Sequence, residues 1–451
     1  MRAAVCFAPQ VTAAASARRL TLVDCVGIGI NGLVGSGIFL LPVRVFAAAG
    51  GISWTAWLLI GGICLLIALC FGEVASMTTR SGGPYAYARD AFGDTAGFAV
   101  GWMALASTLL GYSAVARGLG RNLSYLWPPL GGSSAQVALA WGVIGGLGLL
   151  NWIGIKPGAL ASNLFSVTKL VPLALFVLVG LFFCDFTKLS TPPPSGEGTF
   201  RALQLASVAG LFACTGFEYV PVPAGETQDP QRNVPLALLG SLLGATLLYA
   251  LIQVVLIGTH PDLLHSSEPL AEAAAAFGGR RAGALISLGA AVSSFGFCTG
   301  SALVGPRYFA ALAEDGLIPR AIGRRSPRFG TPGVAILVVA VLSGLLGSVL
   351  DFDRLSDISV VALYFQYVPT CLAVIALRKQ RPDAKRLYTL PGGPTVPILA
   401  TLGCCLFLGG TRLDDLVLSG GVLAFGMLLY LVRRKAFGES ASTPGPGVGP
   451  G

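Results

Sequence analysis

Read as a succession of apolar and polar positions, the chain alternates long apolar runs with short polar connections. A membrane-spanning helix needs about 20 mainly apolar residues. On that measure the pattern predicts twelve helices, at 22–43, 52–76, 97–124, 134–153, 158–184, 201–222, 234–258, 282–313, 332–350, 355–377, 395–411 and 415–432. Residues 1–20 contain Arg18 and Arg19 but no sustained apolar core with a cleavage site, so a cytoplasmic amino-terminal segment is expected there and not a removable signal. Residues 436–451 are rich in Gly, Ser and Pro, the composition of a disordered tail. The predicted fold class is an all-α integral membrane protein.

Two of the runs are interrupted in their middle. The first reads GIGINGLVGSGIFLLP from Gly27 to Pro42, with Gly35-Ser36-Gly37 at its centre. Gly costs about 1 kcal/mol against Ala inside a helix, and in hydrocarbon the freed backbone groups must be satisfied by protein or by a water-filled cavity. Either the helix breaks here and its free groups face a ligand, or Gly and Ser only let helices pack closely. The sixth run, SVAGLFACTGFEYV, carries Cys214-Thr215-Gly216 at the corresponding depth, five helices later. Paired interrupted helices in corresponding halves point to a transporter site between inverted repeats. The division expected is a first five-helix repeat over 21–184, a second, inverted one over 200–377, and two additional helices over 390–435.

Half-helix N-termini present free N–H groups that suit a carboxylate, and half-helix C-termini present carbonyls that suit an ammonium. Together they match the two ends of a free amino acid. Ser36, Gly37 and Ile38, after Gly35, are predicted to meet the carboxylate. Carbonyls from Asn31 to Val34 and around Ala213, Cys214, Thr215 and Gly216 are predicted to meet the amine. Phe39, Phe212, Phe217 and Tyr219 flank the breaks, with Phe212 and Phe217 as gating candidates and ordinary packing as the alternative. Two ionisable residues fall at membrane depth, where charge is costly and functional by default: Lys169 on the fifth helix and Glu218 after the second break. Lys169 could take the place of a sodium ion and couple transport to protons. Glu218 is a coupling candidate, or a hydrogen-bonding group that holds the unwound segment. Asp24 and Glu73, at helix ends, are expected to be caps or inner-gate partners. His260 and His265, with Asp262 and Glu268, fall on a loop expected to be solvated, where pH sensing is the lesser alternative.

Composition sharpens the class. Hydrophobic residues make up 54% of the chain and charged residues 11%, against roughly 25% charged in a soluble domain. The 10 cysteines show no metal-ligand spacing and only two histidines are present, so neither a zinc site nor a histidine-based enzyme is expected, and no cofactor. Of the 30 Lys and Arg, 20 fall on the side of the amino terminus, 9 on the other, and Lys169 in between. That bias puts both termini in the cytoplasm and makes the net charge of +9 an orientation signal and not a nucleic-acid footprint. The clusters Arg320 to Arg328 and Arg378 to Arg386 face lipid heads or solvent on that side.

Several stretches resemble one family. GSGIFLLP at Gly35 to Pro42 is similar to the first-helix signature of the amino acid–polyamine–organocation permeases. So are Glu73-Val-Ala-Ser-Met, Arg80-Ser-Gly-Gly-Pro-Tyr-Ala-Tyr and Ala91-Phe-Gly over the second helix and first loop. TGFE at Thr215 to Glu218, AGETQDPQRNVP from Ala224, EDGLIPR from Glu314 and PRFGTP from Pro327 follow in order, so the resemblance runs from about Leu20 to Lys435. It implies a LeuT-type five-plus-five inverted repeat with broken helices 1 and 6, and alternating-access transport of amino acids or related amines across the plasma membrane. By the same resemblance Gly35 to Gly37 fall on the substrate backbone site and Phe212 on an outer-gate aromatic position. Glu218 matches an acid linked to gating or coupling, and Lys169 a lysine of some sodium-independent members. Cationic amino acid antiporters of the family carry tryptophan at the outer gate, so Phe212 gives no support to arginine exchange. A channel would need a filter-like loop or acidic ring, and a membrane-embedded enzyme a carboxylate pair or activated nucleophile; the chain displays neither. Symport, antiport and uniport, and polyamine as against amino acid substrates, stay open at this stage.

Overall fold

The computed structural model describes residues 20–77, 82–154, 159–194, 196–222, 227–384, 386, 388–390 and 392–437. The expected amino-terminal segment up to residue 19, Arg80 and Ser81, Ala224 to Glu226, and the tail from residue 438 lie outside the described residues. Among the described residues, ten helical stretches are long and apolar enough to cross a membrane, and Gly333–Val349 and Thr395–Leu408 are shorter apolar helices.

The helices in chain order are α1 (Leu22–Leu33), α2 (Gly37–Leu40), α3 (Pro42–Ala49), α4 (Ser53–Ser76), α5 (Pro84–Phe92), α6 (Asp94–Leu123), α7 (Ser133–Trp152) and α8 (Ala159–Gly180). They continue with α9 (Thr199–Gly210), α10 (Pro230–Thr259), α11 (Pro269–Glu314), α12 (Arg320–Gly323), α13 (Gly333–Val349), α14 (Phe352–Gln380), α15 (Thr395–Leu408) and α16 (Leu413–Phe437). Helix α6 is interior, with 83% of its most apolar stretch buried, whereas α7 and α16 are peripheral, at 17% and 22%. A helix apolar all round is buried or faces lipid. Exposed Leu149, Leu345, Val417 and Leu428 on α7, α13 and α16 fit the second setting.

Three departures from the expected elements matter. Beyond the first span, expected to end near residue 43, helical geometry carries on through α3 to Ala49. Arg44, on α3, is held by Asp353 (3.3 Å) and by Asp357 (2.9 Å). The sixth segment is helical only to Gly210, then passes into 3-10 turns at Leu211–Cys214 and Phe217–Tyr219. Helix α11 begins thirteen residues before its expected start of 282 because its Ala-rich first part is helical too; a kink at Gly279 (φ 72°), where glycine is needed, separates the two parts.

Acidic residues at the face carrying the start of α1 act as anchors. Asp24 forms a capping box with Thr21 at the start of α1. Glu73, fully buried at the end of α4, receives Arg378 Nε (2.7 Å) and Nη2 (2.6 Å) from α14 and the Leu390 N–H (2.8 Å). Such a two-pronged buried pair costs about 3–5 kcal/mol if one partner is lost.

Candidate functional site

The first spanning segment leaves helical geometry after Leu33 and resumes at Gly37. The sixth leaves it at Thr215 and Gly216, the latter at φ 107°. The two departures touch. A Cβ on Gly32 would lie 2.5 Å from the Gly216 carbonyl oxygen, and one on Gly37 would lie 2.9 Å from Ala213 Cα. Glycine is therefore required by contact between the segments, a reason the sequence does not state.

At the first break the carbonyl end is taken up by the protein. Lys169, fully buried on α8, points its ammonium at Val34 O (2.6 Å) and Asn31 Oδ1 (2.7 Å), with Asn31 O and Ser293 O both at 3.4 Å. Ser293 Oγ donates to Val34 O (2.7 Å) and Gly35 O (3.2 Å), and Tyr249 Oη to Leu33 O (3.0 Å). Of the carbonyls expected to receive a substrate amine, those of Asn31, Leu33 and Val34 thus have donors of their own. The amide end differs. Among the described residues none accepts from the N–H groups of Ser36, Gly37 or Ile38, and the buried Ser36 Oγ has no partner.

The second break is the reverse. Glu218 Oε2 accepts from the Gly216 N–H (2.9 Å) and from Tyr367 Oη on α14 (3.0 Å), so the Gly216 amide is capped. Thr215 Oγ1 turns back to Phe212 O (2.7 Å). Among the described residues no group donates to the carbonyls of Ala213 or Cys214.

The aromatic candidates separate. Phe212 sits edge-on to Phe352, ring centres 6.0 Å apart. A Cβ on Gly118 of α6 would fall 3.0 Å from Ser36 Oγ and 3.1 Å from Phe352, so the first break, Phe352 and Phe212 share one neighbourhood. Gly35 faces Phe297, whose ring neighbours Tyr219 at 6.2 Å. Phe217 instead packs with Tyr367 (5.4 Å) and Phe71 (5.9 Å) in the core. Phe39 lies on the far side, near Glu268. Ser293, Tyr249 and Tyr367 are absent from the sequence expectations; each is a polar side chain in an apolar run, the one signal that marks it, while Phe352 carries none.

Comparison with known proteins shows the family. The family model described as "Amino acid permease" matches residues 20–421. The chain is 31% identical over 436 residues to the serine/threonine exchanger SteT of Bacillus subtilis (strain 168), covering 93% of this chain and 98% of that protein. It is 28% identical to the branched-chain amino acid permease BcaP of the same organism, covering 93% of each. It is 26% identical to the methylthioribose transporter of that organism, covering 93% of this chain and 94% of the other.

Proposed function

The chain belongs to the amino acid permease family, and we propose that it exchanges or imports neutral amino acids by alternating access, without sodium. The observation that carries this is the complementary remainder at two touching breaks: free amides at Ser36 to Ile38 and free carbonyls at Ala213 and Cys214. A carboxylate suits the first and an ammonium the second. The substrate's amine is thus assigned to the sixth segment, because Lys169 already satisfies the carbonyl end of the first. An ammonium fixed on Val34 O and Asn31 Oδ1 supplies the charge that a sodium ion would otherwise bring, and its proton is the candidate coupling ion. Glu218 acts as a positioning residue that fixes the second break.

Neutral substrates are favoured because the rings of Phe212, Phe297 and Phe352 surround the first break, while Lys169 and Glu218 are both engaged by protein groups. SteT and BcaP carry neutral amino acids by their names. A polyamine would need a free carboxylate here. We assign both termini to the cytoplasm from the 20-to-9 distribution of Lys and Arg, the protein to the plasma membrane, and residues 21–184 and 200–377 to the two inverted repeats.

The test is uptake into proteoliposomes preloaded with unlabelled amino acids, each labelled amino acid being offered outside in sodium-free buffer. Uptake of a neutral group, accelerated by preload or by an inward proton gradient, is expected. A strict sodium requirement, or uptake of amines alone, would overturn the reading.

A further inference from the structure

Between α10 and α11 the chain makes a connection that its sequence marks as solvated, yet His260 is 4% exposed and Glu268 8%. The Asp262 N–H donates to His260 Nδ1 at 3.1 Å. That leaves the ring proton on Nε2, which lies 3.3 Å from Glu272 Oε2. Glu272 also accepts from Ser266 Oγ (2.8 Å) and the Glu268 N–H (3.2 Å), so it ties the connection to the start of α11. The Glu268 side chain turns the other way. One oxygen accepts from Ser124 Oγ at the end of α6, and the other is buried without a hydrogen-bond partner among the described residues. It borders a cavity of about 10 Å³ shared with Phe39, Asn122, Ile286 and Ser287, a volume on the order of one water molecule.

An ionised carboxylate with a buried, unpartnered oxygen is costly. The charged and titratable groups around it relieve that cost only in part. On α11 the nearest is Glu272, a like charge. On α6, Arg121 spends its Nε on Ser267 O (3.2 Å) and faces Asp353 of α14 (3.5 Å). His260 is directed at Glu272, and α2 offers only Phe39. We propose that Glu268 is a proton-binding site which latches the α10–α11 connection onto the end of α6 and the back of α2. The short helix α2 directly follows the first break, so the proton sits behind the wall of the substrate region. The assignment rests on the geometry of this connection and not on the transport reading.

Burial and the neighbouring Glu272 push Glu268 up to about 7, against the lowering pull of Ser124, the Tyr125 backbone N–H and Arg121. The ordinary carboxyl value is about 4.3. Between these two values a closed latch keeps its proton while an open one releases it. Closing therefore takes up a proton, and the latch weakens as pH rises from about 4.3 to about 7, with no further change above.

The experiment is an infrared titration of the full-length protein in nanodiscs between about pH 5 and pH 9, read as the carboxylic-acid carbonyl band lost on ionisation. A band with a midpoint near 7 is expected, and the difference between wild type and Glu268→Gln should isolate it. Ser124→Ala removes a donor to the carboxylate and should raise the midpoint by about one unit; Glu272→Gln removes the like charge and should lower it by a similar amount. Persistence of the band in Glu268→Gln would overturn the proposal. If that variant does not fold, an unmoved midpoint in both flanking variants would overturn it equally, and opposite shifts would support it. None of these readouts needs a substrate.

Discussion

At the first break a cation from another helix, Lys169, sits on the carbonyls of Asn31 and Val34; at the second a carboxylate from the segment itself, Glu218, sits on the amide of Gly216. The first break is therefore satisfied by tertiary structure, through α8 and α11, and the second mainly by its own sequence, with Tyr367 in support. Each filling leaves the opposite kind of backbone group over. Amides remain at Ser36 to Ile38 and carbonyls at Ala213 and Cys214, side by side because Gly32 and Gly37 let the segments touch. Two breaks filled alike would leave two sites for one sign of charge. Filled oppositely, they offer both kinds of backbone group, and on this rests the zwitterion site proposed above.

The largest effect should come from separating the breaks. Gly216→Ala puts a Cβ against Gly32 O at a φ of 107°, at a cost of about 3 kcal/mol from strain and overpacking together. Loss of thermal stability in detergent, with transport abolished, is expected; a variant of wild-type melting temperature would break the claim that the segments are in contact. Next comes the cation. Lys169→Ala strips two close charge-assisted bonds, worth about 3 kcal/mol, and should lower exchange on the order of 100-fold. Residual uptake should also lose its response to an imposed proton gradient. Retained gradient response would return Lys169 to a purely structural role.

Glu218→Gln keeps a carbonyl oxygen for the Gly216 N–H but loses its charge. A fall of about tenfold in kcat with KM little changed is expected; an equal loss in Glu218→Gln and Lys169→Ala would erase the contrast between self-capped and tertiary-capped breaks. The smallest effect belongs to Ser36→Ala. With no partner for its hydroxyl among the described residues, the fold should be indifferent, and KM should rise a few-fold if the hydroxyl helps to hold the carboxylate. A drop in melting temperature instead of a rise in KM would mean that Ser36 serves the protein and not the ligand.

Parts of this contrast were legible in the sequence. A lysine in an apolar run stands out, as do glycines flanking a serine, because charge and flexible backbone are both expensive in hydrocarbon. The partners of Lys169 were not legible, since Val34 and Asn31 lie 135 and 138 residues away. Phe212 and Phe217 look equivalent as text, five positions apart, yet one meets Phe352 near Ser36 and the other stacks on Tyr367. Which way each ring points depends on the irregular turn between them, and that turn obeys neither a helical nor a strand period.

The sequence by itself determined the class of protein and the approximate position of most apolar helices, because each depends on local composition measured against the cost of burying charge or backbone. Tertiary structure alone decided what fills each break. It turned the Asn31 and Val34 carbonyls from a ligand site into the seat of Lys169, and it drew Glu268 from an apparently solvated connection into the protein. The physical reason is that satisfying a buried polar group requires a partner within about 3 Å, and chain order carries no information about which distant residue will arrive there.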